Sequence, residues 1–162
     1  MGKAASILAE KMKIYGVAPN NYTGAAMTAF SVSLKYYDHI TYIITTGAWA
    51  AGTAAVSLTQ DTSVTPTASV KALGFSYQWT AGFQAATGLV KTAVVANTFN
   101  LAAANQIHVI EVDAATLDVT NGFDVITLVI ASPGANNDYY GVNYLLSGCR
   151  YAQATPPDAT TD

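Results

Sequence analysis

The chain has 162 residues, with seven basic and ten acidic side chains, a net charge of −3 and 51% apolar residues. Charged residues make up 10%, where soluble domains usually carry about a quarter. The composition excludes intrinsic disorder, which needs low hydrophobicity and high net charge. It also argues against nucleic-acid binding, because seven scattered cations offset few phosphates. One domain of this length buries roughly two-thirds of its unfolded surface. A surface so poor in charge is expected to face other protein.

Residues 2–15 are predicted as a short helix, since Ala, Leu, Glu, Lys and Met favour helix and Leu8, Met12 and Tyr15 share one stripe. So short a helix is marginal alone and needs a docking surface. Lys3, Lys11 and Lys13 concentrate positive charge here, while the rest of the chain is net acidic. Residues 17–24, with Pro19, Asn20, Asn21 and Gly24, read as a loop. Residues 1–30 are therefore expected to form an N-terminal arm. Its candidate contact residues are Lys3, Leu8, Lys11, Met12, Lys13, Tyr15 and Tyr22.

From residue 31 the period changes to two. Strands are predicted at 31–37, 40–46, 54–60, 70–79, 89–96, 106–112, 125–131 and 139–146, rich in Val, Ile, Thr, Tyr and Phe. Ile40, Tyr42 and Ile44 share one face, and Tyr140, Val142, Tyr144 and Leu146 another. Turn signals such as Thr46-Gly47, Ala51-Gly52, Asn121-Gly122 and Ser132-Pro133-Gly134 separate the strands. Residues 113–118 fit a single helical turn. The fold class expected is all-β: an antiparallel β-sandwich or jelly roll of about eight strands spanning 31–152, with the short N-terminal helix or extended arm before it. Residues 153–162, with Pro156 and Pro157, are expected to be an extended or disordered tail.

Catalytic chemistry finds no foothold. No Gly-x-Ser-x-Gly elbow accompanies His39 or His108. On a strand, His108 and Glu111 fall on opposite faces. Cys149 stands alone, which excludes an intrachain disulfide, and reads as a small buried hydrophobe although Arg150 follows it. Glu111, Asp113, Asp118 and Asp124 form the densest acidic feature; their spacing fits turn chemistry, with a weak calcium site as the physical alternative. The tyrosines suit a sandwich core and subunit contacts, or a stacking platform for sugars. No enzyme activity, cofactor or metal ligand is expected.

Three stretches lack charge, 14–34, 39–60 and 92–110, but Pro, Gly and Asn interrupt them and none matches a spanning helix of roughly 20 apolar residues. Glu10, Lys11 and Lys13 occupy the place of a secretory signal's apolar core. Met1-Gly2-Lys3-Ala4-Ala5-Ser6 fits the myristoylation pattern, yet one acyl chain binds membranes only marginally. No membrane partner is expected.

Several segments carry a resemblance: Ser33-Leu34-Lys35-Tyr36-Tyr37-Asp38-His39-Ile40-Thr41, Thr46-Gly47-Ala48-Trp49, Thr53-Ala54-Ala55-Val56-Ser57-Leu58, Val109-Ile110-Glu111-Val112-Asp113-Ala114, Leu117-Asp118-Val119-Thr120-Asn121-Gly122-Phe123-Asp124 and Arg150-Tyr151-Ala152-Gln153-Ala154-Thr155-Pro156-Pro157. With the arm's Leu8–Lys13 included, the chain resembles a family of small virion or head-region structural proteins of tailed bacteriophages. The resemblance carries no catalytic signature. It implies a decoration (cement) protein made in the host cytoplasm and bound to the capsid exterior. Its partners would be the major capsid protein and neighbouring copies, with a trimer favoured. A neck, tail or head-fibre base component and a carbohydrate-binding adhesion module are the competing expectations.

Overall fold

The computed structural model describes residues 11–65, 70–151 and 155–161. In chain order the strands are β1 (Lys13–Asn21), β2 (Met27–Thr28), β3 (Val32–Ser33), β4 (Tyr37–Trp49), β5 (Ala54–Asp61), β6 (Lys71–Leu73), β7 (Tyr77–Gly82), β8 (Val90–Ala93), β9 (Phe99–Leu101), β10 (Gln106–Asp113), β11 (Val125–Ile130) and β12 (Asp138–Cys149). Two six-stranded sheets result. The first runs β1-β12-β4-β10-β7-β8; the second runs β2-β11-β5-β6, with β3 also on β11 and β9 also on β5. Every pairing is antiparallel. This is the β-sandwich that the period-two pattern predicts.

Alternation sets the two faces. Ile40, Tyr42 and Ile44 of β4, Ile110 of β10, and Tyr140, Val142, Tyr144 and Leu146 of β12 are fully buried. They meet Val56 and Leu58 of β5 and Ile126, Leu128 and Ile130 of β11 from the other sheet in one core. The intervening residues face outward. On the first sheet these include Ile14, Asn143, Leu145, Thr41, Ile43, Thr45, Ile107 and Val109, and on the second Thr28, Ser57, Thr59, Thr127 and Val129. The same face of the first sheet also carries Glu111, Asp113 and His39 toward one end and Lys91 beside Trp79.

Tyrosines tie the first sheet together. Tyr15, Tyr144 and Tyr42 stand in register on β1, β12 and β4. Their rings follow at 5.6 Å centroid separations. Tyr22 stacks on Tyr140 at 4.3 Å, and Trp49 lies 6.1 Å beyond Tyr140. Such pairs contribute about 0.5–1.5 kcal/mol each beyond area burial.

Several expectations are corrected. The predicted N-terminal helix does not extend to Tyr15: residues 13–15 begin β1, and Gly2–Glu10 lie outside the described residues. Helix propensity is a weak preference, and the open edge of β12 supplies both backbone partners and the Tyr144 ring for Tyr15. The predicted loop at 17–24 is strand as far as Asn21. Its Pro19 is tolerated because β1 is an edge strand and the register slips between Val17 and Asn20. From Lys13 onward, residues of the predicted arm are thus part of the sandwich. The single strand expected at 70–79 is two, β6 in the second sheet and β7 in the first. Phe75 is buried at the crossing and keeps the apolar pattern unbroken, so alternation alone does not show the break. Strands β2 and β9, two and three residues long, are too short to leave a period. The helical turn predicted at 113–118 is present as Ala114–Thr116, with a second at Val119–Asn121.

Residues 155–161 of the tail are held against the sandwich. The Tyr37 hydroxyl donates to the Pro157 carbonyl. The Ser33 N–H donates to the Ala159 carbonyl at 2.7 Å, and Ala159 is buried.

Two outcomes follow from this packing. A Cβ on Gly141 would stand 2.9 Å from Pro19 backbone atoms, so Gly141→Ala should lift β1 from β12. The expected cost is about 1–3 kcal/mol in denaturant unfolding, with amide exchange accelerating in β1 first. His108 is buried, its Nδ1 3.2 Å from Thr80 Oγ1 and from Gln78 Oε1, and burial pushes its pKa down to about 4. Between pH 6.5 and 4 the unfolded chain takes up a proton that the folded chain refuses, so stability is lost as pH falls. Going from pH 7 to 4.5 should cost wild type about 2–3 kcal/mol more than His108→Gln, read by denaturant titration at both pH values.

Candidate functional site

The antiparallel order sorts the connections onto two ends. Segments 22–26, 50–53, 83–89, 102–105 and 131–137 share one end, where β1, β4, β7, β9 and β11 finish. These segments hold no Asp, Glu, Lys, Arg or His. The opposite end carries Lys13, Lys35, Asp38, His39, Asp61, Lys71, Glu111, Asp113, Asp118, Asp124, Arg150 and Asp158. Lys91 stands between the ends, paired across strands with Trp79.

The uncharged end is built from Ala, Gly, Thr, Ser and Asn, with Phe83 and Leu89 exposed by 46% and 51%. Its loops are tied to one another. Asp138 is fully buried; its Oδ1 accepts the Ala50 N–H at 2.6 Å, and its carbonyl accepts the Tyr22 N–H at 3.1 Å. The Gly24 N–H reaches the Gly134 carbonyl at 2.7 Å, and Asn137 Oδ1 accepts from Asn21 Nδ2 at 2.9 Å and Thr23 Oγ1 at 3.0 Å. Trp49 Nε1 donates to the Gly52 carbonyl at 3.2 Å. Gly52 has φ +87° and an added Cβ would lie 2.4 Å from the Pro133 carbonyl oxygen, so only glycine fits there. Asn105 N–H bonds the Gly47 carbonyl, and Phe83 N–H bonds the Asn105 carbonyl, at 3.0 and 2.9 Å.

This arrangement suits docking against another protein. Contact strips water from no ion, small side chains admit a close backbone, and loops already tied lose little entropy on binding. Phe83 and Leu89 are the large apolar groups available as anchors.

The residues expected from sequence do not assemble into one patch. Lys3 and Leu8 lie outside the described residues. Lys11 is exposed, and Met12 and Lys13 are half-buried at the start of β1. Tyr15 is committed to the tail: its hydroxyl donates to Asp158 Oδ1 at 2.5 Å and accepts the Ala159 N–H at 3.1 Å. With the Tyr15 bond as the main cause and Thr160 adding to it, the Asp158 carboxyl sits at about 2. Tyr22 belongs to the uncharged end, far along β1 from Tyr15. The uncharged end itself had a signal in the sequence: the charge-free stretches 14–34, 39–60 and 92–110 contain three of its loops.

The acidic cluster is dispersed. Lys71 Nζ pairs with Asp118 Oδ2 at 2.7 Å and holds its carboxyl below the usual range, helped by Asn121. His39 is shared by Asp113 at 2.8 Å and Glu111 at 3.9 Å. Among the described residues no three His, Cys, Asp or Glu side chains converge as metal ligands. Cys149 Sγ donates to the Tyr151 carbonyl at 3.2 Å. Among the described residues no helix is long and apolar enough to cross a membrane.

No family model matches the chain, and no curated protein matches it. Among solved structures it is similar to the SPBc2 prophage-derived protein YomS, at 9% identity and TM-score 0.45 over 84% of this chain and 93% of that one. It is also similar to a chain in the structure of the infectious bursal disease virus Gx strain, at 12% identity and TM-score 0.34. That likeness covers 91% of this chain and 36% of the viral chain.

Asp138→Ala should orphan the Ala50 N–H at a cost of about 1–3 kcal/mol, with Ala50 amide exchange accelerating. Asp138→Asn keeps the acceptor oxygen and should cost less in the same measurement.

Proposed function

We propose that this protein is a structural subunit of a tailed-bacteriophage virion, a capsid decoration (cement) protein that binds the outside of the assembled head through its uncharged end. The observation that carries the reading is that end: a rigid, charge-free surface with Phe83 and Leu89 exposed. The sequence resemblance to phage head-region proteins supplies the setting. The polar groups an enzyme would use have structural occupations: His108 is buried between strands, His39 bridges two carboxylates, and Cys149 bonds a carbonyl. The partners are the major capsid protein and neighbouring copies, with a trimer favoured and no part for nucleic acid, membrane or cofactor.

Stabilisation would work by linkage. A protein that binds only the assembled, expanded shell favours that state by about 2.7 kcal/mol per site when present at a hundred times its Kd. Summed over many symmetry-related sites, this resists the pressure of packaged DNA. A neck, tail or head-fibre base position would use the same docking surface, and copy number per particle separates it from decoration. The adhesion-module reading is disfavoured because Lys91 Nζ already covers the Tyr77 ring, 3.7 Å from its centroid, and lies 5.5 Å from that of Trp79.

The test is cosedimentation with expanded, undecorated heads and with unexpanded shells. Wild type should bind the expanded heads in high copy number. Ala51→Glu with Ala135→Glu places charges on exposed positions of the uncharged end and should weaken binding by at least about 10-fold without lowering Tm. Removal of Met1–Met12 tests the arm while sparing β1. Full binding by the doubly charged variant would sink the docking surface proposed here.

A further inference from the structure

Most cations of the sandwich are occupied within the chain. Lys35 lies over the Tyr36 ring at 5.7 Å, Lys71 pairs with Asp118, Lys91 lies over Tyr77, and Arg150 pairs with Asp38 at 2.8 Å. Among the described residues, Lys11 and Lys13 have neither a carboxylate nor a ring partner. Lys11 is exposed just before β1, and Lys13 is half-buried at its start, two residues on at the edge of the first sheet.

A complementary surface exists elsewhere on the same sheet. Tyr77 and Trp79 of β7 and Glu111 and Asp113 of β10 line an open cleft of about 250 Å³. Two carboxylates share the single imidazole of His39, so even a protonated His39 leaves them net negative. Lys91 approaches from the β8 side and contacts the rings, while neither carboxylate has a Lys or Arg within ion-pair distance among the described residues. Tyr77 is 45% exposed, and the part of its ring that Lys91 leaves uncovered can pack against the aliphatic stem of an incoming lysine whose ammonium pairs with Glu111 or Asp113.

The two patches cannot satisfy each other within one copy. From β1 to β10 there are three strand steps, about 14 Å at about 4.8 Å each. That exceeds both a lysine's reach and the Debye length of about 8 Å at physiological ionic strength. We propose that the start of β1 of one copy, through Lys11 and Lys13, seats in the Tyr77–Trp79–Glu111–Asp113 cleft of a second copy. This rests on the reading that copies are neighbours in the particle, and specifies how they meet. The patches differ, so the contact is head-to-tail, the type that the favoured trimer would close into a ring, rather than a two-fold dimer.

Sedimentation velocity and light scattering on the full chain, at low and high ionic strength, test this. Wild type should form a closed oligomer that weakens with salt. Lys11→Glu with Lys13→Glu, and separately Glu111→Lys with Asp113→Lys, should each weaken association by at least about 100-fold. The chain carrying all four reversals should recover the wild-type oligomer. A monomeric wild type, reversals that leave the oligomer unchanged, or a fourfold reversal that stays dissociated would each overturn the proposal. Circular dichroism confirms that the variants are folded. Capsid binding is read separately through the uncharged-end variants, so the contact between copies and the docking surface can fail independently.

Discussion

The stacking of β1 on β12 through tyrosine rings is the interaction on which the rest depends. Tyr15 against Tyr144 fixes the start of the strand and Tyr22 against Tyr140 fixes its end. The first contact carries the Tyr15 hydroxyl to Asp158, so the C-terminal tail is locked by the residue that anchors the N-terminal strand. The second places Tyr22 beneath the loops of the uncharged end, where Asp138 holds it to the 50–53 connection. One edge strand therefore organises both ends of the sandwich. The first sheet is set by ring packing that requires no ion, consistent with a chain of so few charges.

How far the sequence foretold this depends on which physical signal each element leaves. Strands β4 and β12 are long and alternate in burial, and their core faces were legible residue by residue, at Ile40, Tyr42 and Ile44 and from Tyr140 to Leu146; β10 and β11 were legible as strands. β1 was not. Its Lys, Ile, Tyr and Gly look helical or neutral locally, and Pro19 reads as a breaker; only the waiting edge of β12, more than a hundred residues away, makes it a strand. The crossing at Phe75 was hidden because a buried aromatic continues the pattern through a change of sheet. At the functional surface, sequence reasoning weighed charge where it was present, at Lys3, Lys11 and Lys13 and around Glu111. The more informative feature was where charge is missing. The uncharged stretches are visible in the sequence, but their convergence on one end is a property of the topology.

Sorting charge to one end reconciles a mean hydropathy of +0.28 with a folded protein in water. Outside the Tyr77–Asp113 cleft, much of the outer face of each sheet is Thr, Ser and Asn with scattered aliphatics, which tolerate either water or a neighbour. Ionised groups sit where the strands turn, at the charged end, and leave the other end free to be buried without stripping water from an ion. If copies join side by side with strands along the ring axis, every uncharged end faces the same way, and the assembly presents one docking floor.

Pro19 has a further consequence. A sandwich with open edges and charge-poor faces is a template for endless strand addition, the geometry of fibrils. On the free side of β1, Pro19 lacks the N–H that a further column of bonds would need, and the register slip beside it bends the edge away from flatness. The other outer strand, β8, is only four residues long and carries Lys91, both features that blunt an edge. In the decoration role proposed above, many copies would gather on one particle and their contacts would have to stop after a fixed number. These edge residues let it be adhesive without polymerising.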